Sequence, residues 1–259
     1  MGIVMIFPFF WMISCAFRKP NELLSSPPRF LPANPTFSGF IHVITETEIP
    51  RYFMNSLIIA IIATGLCIFV AIPAAYSFAR HDYKGKNLVM VGILLCNMIP
   101  QASTLVPLYR AMDKLGLIDS YVGIAFTHLL CMLPFSIIML KGFIKTIPKT
   151  MEEAALIDGC TKLQALFKII VPVCSSGIFA TAMYAFMISW EEFLYAMTFS
   201  TSGKARTISI GLKMFSTEFK VDWSSILAAA TLMTLPILII FFLIQDTFIK
   251  GATDGALKE

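Results

Sequence analysis

The chain is 259 residues long, 57% hydrophobic and only 14% charged, about half the charged share usual in a soluble globular domain, so a membrane protein is expected. Its 20 Lys+Arg and 16 Asp+Glu leave a net charge of +4 with no basic run, which argues against nucleic acid as a partner. The six cysteines contain no CxxC pair and five lie in apolar stretches, so no disulfide framework, zinc site or other cofactor is expected.

Six runs carry no Asp, Glu, Lys or Arg: Met1–Phe17, Tyr52–Ala79, Asn87–Tyr109, Ser120–Leu140, Ile169–Trp190 and Trp223–Gln245, of 17, 28, 23, 21, 22 and 23 residues. A membrane-spanning helix needs about 20 residues at ~1.5 Å each to cross a core of roughly 30 Å. The pattern predicts an all-α polytopic membrane protein of about six spans, a single domain over residues 1–259. The first run lacks a basic segment before it and a small-residue cleavage site after it, so it reads as a retained helix cut short at its start rather than a signal peptide. Arg18 to Arg51, with SSPPRFLPANPTF inside it, reads as an extended, hydrated excursion.

Bends are expected at Pro73, Pro100, Pro107, Pro134 and Pro236, which neighbouring helices and Ser/Thr side chains make tolerable. Asn55, near a helix end, reads as a cap. Asn97, Gln101 and His128 lie within apolar runs, where a polar side chain hydrogen-bonds a neighbouring helix or lines a solute path; packing is the favoured reading.

The connection from Lys141 to Val171 carries helix punctuation twice. Thr150 with Glu153 forms one capping box, and the first short helix should stop at Asp158-Gly159, where glycine accepts the left-handed conformation. Thr161 with Gln164 forms a second box, opening a helix with Leu163, Phe167 and Ile170 on one face and Pro172 at its end. Helices this short are marginal alone and need a surface to dock on. Beyond them, if the fifth helix starts near Pro172, Glu191 falls about 28 Å along it. Trp190, Glu191 and Glu192 then stand either at the far interface or on a solute path, and both readings stay open.

With both termini inside, the inner and outer segments each hold ten Lys+Arg, so the positive-inside rule does not decide orientation. The short loop Arg80–Lys86, with three basic residues against Asp82, favours the inside.

Glu153-Ala154-Ala155, then Gly159, Ile169 and Pro172, resemble the EAA loop of permease subunits of bacterial ATP-binding-cassette (ABC) importers, with Val171 where leucine is usual. Asn55-Ser56-Leu57, Ala74 to Arg80, Pro107-Leu108-Tyr109, Leu115-Gly116-Leu117, Leu133-Pro134-Phe135, Asp222-Trp223, Gln245 to Gly251 and Gly255 to Lys258 resemble the maltose-type second permease of the carbohydrate branch. Trp190-Glu191-Glu192-Phe193 departs from that branch by a carboxylate in place of an amide at Glu191, and the basic N-terminal tail is missing.

The resemblance implies a cytoplasmic coupling loop over residues 146–172, with Glu152, Glu153, Ala154, Ala155, Asp158, Gly159, Ile169 and Pro172 facing a cassette ATPase. It implies as partners a homologous second permease, two copies of that ATPase, an extracytoplasmic solute-binding protein and the lipid bilayer. The location would be the bacterial inner membrane, with both termini cytoplasmic. The solute would be a sugar, oligosaccharide or polyol, with Asn97, Gln101, Trp190, Glu191 and Glu192 as candidates for its path. No catalytic residue is expected: the chain has no GxxxxGK[ST] loop to cradle phosphates, so ATP would be hydrolysed on another polypeptide. The alternative is a secondary transporter or channel without an ATPase, but no inverted internal repeat supports it.

Overall fold

The computed structural model describes residues 2–23, 25, 27–216 and 221–256. Of the residues drawn on above, Met1, Ser26, Leu257 and Lys258 lie outside them. The described residues are helical almost throughout, joined by turns and one isolated β-bridge between Ser216 and Val221.

Among the described residues three helices are long and apolar enough to cross a membrane: Ile49–Arg80, Tyr121–Thr146 and Trp223–Phe242 within a longer helix. Two further spans form only if bent pairs are counted, Lys86–Cys96 with Gln101–Lys114 at 98° and Lys162–Val173 with Ser175–Glu191 at 81°, and the first run forms a shorter apolar helix. Six apolar runs therefore become three straight spans, two broken ones and a short helix. The third run was expected as one span bent at Pro100. The bend is a full break of 98°, and Pro100, which has no N–H to donate, sits extended (φ −58°, ψ 130°) as the residue before Gln101–Lys114. Pro73, Pro107, Pro134 and Pro236, by contrast, lie inside helices that run on past them.

The chain divides into two compact units, Met1–Ser56 with Ala205–Ile244, and Leu57–Lys204 with Gln245–Glu259. In the first, Asn55 and Ser56 lie within the Ile49–Arg80 helix rather than capping it. Asn55 Nδ2 donates to the Arg206 carbonyl at 2.8 Å, and Ser56 Oγ accepts from the Ile208 N–H at 2.8 Å, supplying a missing acceptor to the start of the Ile208–Met214 helix. Gly211 lets this short helix approach closely, since a Cβ there would stand 2.6 Å from Ile49 Cδ1.

In the second unit the Tyr121–Thr146 and Ser175–Glu191 helices pack side by side, with Gly177 against the ring of Phe143 and Phe135 against Tyr184 at 4.7 Å between centroids. Below them Ile72, Ala75, Ile137, Leu140, Ile144, Leu166 and Ile170 form one apolar cluster. That cluster is the floor on which the Lys141–Val171 connection rests.

Candidate functional site

The connection folds as a helical hairpin. Its first arm, Lys149–Ile157, starts after Pro148 with no side-chain cap, so the box expected at Thr150 and Glu153 does not form. The helix begins before Thr150, which places that residue inside the first turn instead of at the cap. The arm ends in a full Schellman motif: the Cys160 N–H reaches the Ala155 carbonyl at 3.0 Å and the Gly159 N–H the Leu156 carbonyl at 3.1 Å, with Gly159 at φ +87°. The second box forms as expected. Thr161 Oγ1 accepts from the Gln164 N–H, and Gln164 Oε1 from the Thr161 N–H at 2.8 Å.

The second arm does not end at Pro172. Residues Leu166–Ile170 widen into a π-turn and Val171–Val173 continue helically to the 81° break at Cys174. A π-turn admits one extra residue. Ile170 therefore falls into the core while Leu163 and Phe167 stay out, 66% and 55% exposed, and the three do not share one face.

Of the residues matched to the coupling loop, Glu153, Ala154, Asp158, Gly159 and Pro172 are exposed, Glu152 and Ile169 are half-buried, and Ala155 is buried. The hairpin tip adds Ile157, 86% exposed. Ile157, Leu163 and Phe167 thus present bare apolar side chains between charged ones. Beside the hairpin, Lys86, Lys141 and Lys145 line a cleft with Asp82. Lys86 Nζ lies 2.8 Å from Asp82 Oδ1 and holds that carboxyl below the usual carboxylate range.

At the other end of the Ser175–Glu191 helix, the paired carboxylates part. Glu191 is exposed and ends the helix, whereas Glu192 is extended (ψ 129°) and buried. The Glu192 carboxylate accepts from the Tyr195 and Ala196 N–H groups at 2.8 and 2.9 Å, holding the start of the Leu194–Phe199 helix. It also lies 3.2 Å from His128 Nε2, at ion-pair range but off the line of a hydrogen bond. His128 is fully buried, its Nδ1 hydrogen-bonded to Ser189 Oγ at 2.7 Å. Tyr195 and Thr104 share a hydroxyl hydrogen bond of 2.6 Å, which extends the network to the Gln101–Lys114 helix.

A cleft of about 300 Å³ opens here, lined by Gln101, Cys131, Ile188, Glu191, Glu192 and Phe193 among others. Of the five candidate path residues, Gln101, Glu191 and Glu192 meet in it. Trp190 is buried against Phe186, with ring centroids 5.7 Å apart, and Asn97 closes the Lys86–Cys96 helix at its C-terminal end. Neither belongs to the cleft wall. Sequence reading missed the His128–Glu192 pair, and its only local signal is a carboxylate three residues before an N–H that needs an acceptor. No group of three or more His, Cys, Asp or Glu side chains that could hold a metal occurs among the described residues.

A polytopic helical membrane protein with a punctuated helical hairpin is the class this arrangement defines. Residues 3–253 match the family described as binding-protein-dependent transport system inner membrane component, and the chain belongs to that family. It is 32% identical to the sulfoquinovosyl glycerol transport system permease protein SmoH of Agrobacterium fabrum, over 98% of this chain and 89% of that one. It is 33% identical to the trehalose/maltose transport system permease protein MalG of Thermococcus litoralis, over 100% and 93% respectively. Its fold matches a chain of a bacterial ABC transporter involved in the import of alginate, with a TM-score of 0.82 at 18% identity over 95% of this chain and 92% of that one. The chain is a membrane permease component of an ABC importer, which sets aside the ATPase-free carrier or channel.

Proposed function

We propose that the whole chain works as one permease domain of the bacterial inner membrane, moving a sugar, oligosaccharide or polyol inward by alternating access. It pairs with a homologous permease, two cassette ATPases dock on its cytoplasmic side, and a solute-binding protein delivers from outside. ATP hydrolysis belongs to the ATPase subunits and the chain itself is not an enzyme. The observation that carries this reading is the hairpin, on which Ile157, Leu163 and Phe167 are exposed, as is Glu153. Apolar side chains left bare on a short, sharply turned hairpin are the signature of a docking face.

The hairpin's surroundings support the orientation. Lys86, Lys141 and Lys145 gather on the same side as the hairpin, and basic loops stay cytoplasmic; both termini are assigned to that side. Substrate class rests on the sugar permeases among the relatives and on the cleft, where Gln101 and Glu191 offer hydrogen-bonding groups suited to hydroxyls.

Nucleotide closes the two cassettes, the hairpins move with them, and the helices exchange inward-facing and outward-facing states, a two-state shift driven by tighter nucleotide binding to the closed form. Reconstitution tests the reading. In liposomes the chain alone should neither hydrolyse ATP nor accumulate solute, and both activities should appear with its ATPase, permease and binding-protein partners. Uptake by the chain alone, driven by an ion gradient, would overturn it.

A further inference from the structure

The first arm of the hairpin has little apolar anchorage. Of its nine residues, Lys149–Ile157, only Ala155 is buried, and a helix of that length does not persist unaided in water. The second arm differs, since Leu166 and Ile170 are set into the apolar cluster with Ile72, Ala75 and Ile144.

What fixes the first arm is polar. Glu152 turns inward while its neighbour Glu153 stays exposed, and Glu152 Oε2 lies 3.1 Å from Arg80 Nε, an ion pair off the line of a hydrogen bond, with side chains only 13% and 5% exposed. Tyr76 donates its hydroxyl to Glu152 Oε1. Arg80 Nη2 donates to the Ile147 carbonyl at 2.8 Å, just before the arm begins. Tyr76 and Arg80 stand four residues apart, on one face of the last turn of the Ile49–Arg80 helix. One carboxylate on the hairpin is thus gripped by two side chains at the end of a long membrane helix.

Such a contact transmits direction as well as attraction. It is charge-assisted and largely shielded from water, so salt screens it little. Removing one member strands the other in a site with few alternatives. A surface ion pair would yield under load by exchanging with solvent.

We propose that Tyr76, Arg80 and Glu152 form the joint that carries movement between the coupling hairpin and the Ile49–Arg80 helix, making Glu152 a positioning residue and not part of the ATPase-docking face. The proposal rests on the importer reading above. Its test uses the full complex in liposomes, with the chain carrying Glu152→Gln, Arg80→Gln, both together, or Tyr76→Phe. ATPase co-purification, hydrolysis and solute uptake are measured side by side.

Glu152→Gln is isosteric and only removes the charge. ATPase association should stay at the wild-type level while uptake per ATP hydrolysed falls roughly tenfold, the population change that loss of one strong contact produces. The double variant should be no worse than either single one, because all three groups act through one contact. Tyr76→Phe should give a smaller fall. Glu153→Lys, on the exposed side, should instead weaken ATPase association directly. Unchanged uptake per ATP in Glu152→Gln and Tyr76→Phe would overturn the joint, as would loss of ATPase association in step with uptake. A wild-type complex that never couples hydrolysis to uptake would overturn the importer reading itself, and the joint with it.

Discussion

If the hairpin couples as proposed, Gly159 isolates the backbone contribution to coupling. Its φ of +87° lies where an L side chain is strained, yet a Cβ built there meets nothing within 4 Å. The penalty of a substitution is therefore torsional and not steric, about 1 kcal/mol for alanine and more for a β-branched residue. If the turn instead relaxes, it gives up the two Schellman hydrogen bonds, each worth about 1 kcal/mol net, so the upper bound is about 2 kcal/mol. At about 1.4 kcal/mol per tenfold change in population, uptake by the assembled complex should fall several-fold for Gly159→Ala and more for Gly159→Val. Gly159→Asn should be mildest, because asparagine tolerates the left-handed region. Membrane levels should stay constant in all three, since no span is touched. The assay is uptake and ATPase co-purification from membranes of matched protein content. Wild-type behaviour of Gly159→Val would refute the hinge, and an asparagine variant as damaged as the valine one would show that the backbone conformation is not what the site requires.

Three further outcomes follow from the packing and the cleft. Gly177→Ala places a Cβ 2.4 Å from Phe143 Cγ and should destabilise the protein by about 1–3 kcal/mol, read as a lower thermal midpoint that a Phe143→Ala background, which removes Cγ and the ring, partly restores. His128→Ala leaves the buried Glu192 carboxylate without its imidazole and should cost about 1–3 kcal/mol in the same assay; an unchanged midpoint would show that the two backbone N–H groups suffice. Glu191→Gln should change solute uptake or preference at an unchanged thermal midpoint, whereas normal transport by both the Gln and Ala variants would make Glu191 a helix end and nothing more.

The parts of this protein legible in its sequence were those written in local chemistry. Uninterrupted apolar runs gave the membrane class, and the Gly159 turn and the Thr161–Gln164 box were readable because both ends of each interaction lie within a few residues. The unread parts needed a partner from elsewhere in the chain. Pro100 broke its run while Pro73, Pro107, Pro134 and Pro236 did not; all five lack the N–H alike, so residue type alone does not tell a broken span from a continuous one. Pro172 failed as a stop: it follows the Leu166–Ile170 π-turn at the start of the helical turn Val171–Val173, where a missing N–H is tolerated.

The two acidic pairs carry the same lesson into function. Glu152-Glu153 and Glu191-Glu192 are identical dipeptides, and in each one carboxylate is exposed while the other turns toward a basic side chain, Arg80 or His128. Neighbours on a helix point about 100° apart, so a surface helix can hardly present both to the same side. For Glu152-Glu153 that rotation alone separates an inward contact from an outward one. For Glu191-Glu192 the helix ends between them, and the extended backbone at Glu192 swings its carboxylate onto the next two N–H groups. A doubled acid at a helix edge therefore divides its labour, one group fixing the scaffold and the other left free to meet a ligand or a partner. In each pair, loss of the inner charge should be felt in coupling or stability, and loss of the outer one in recognition.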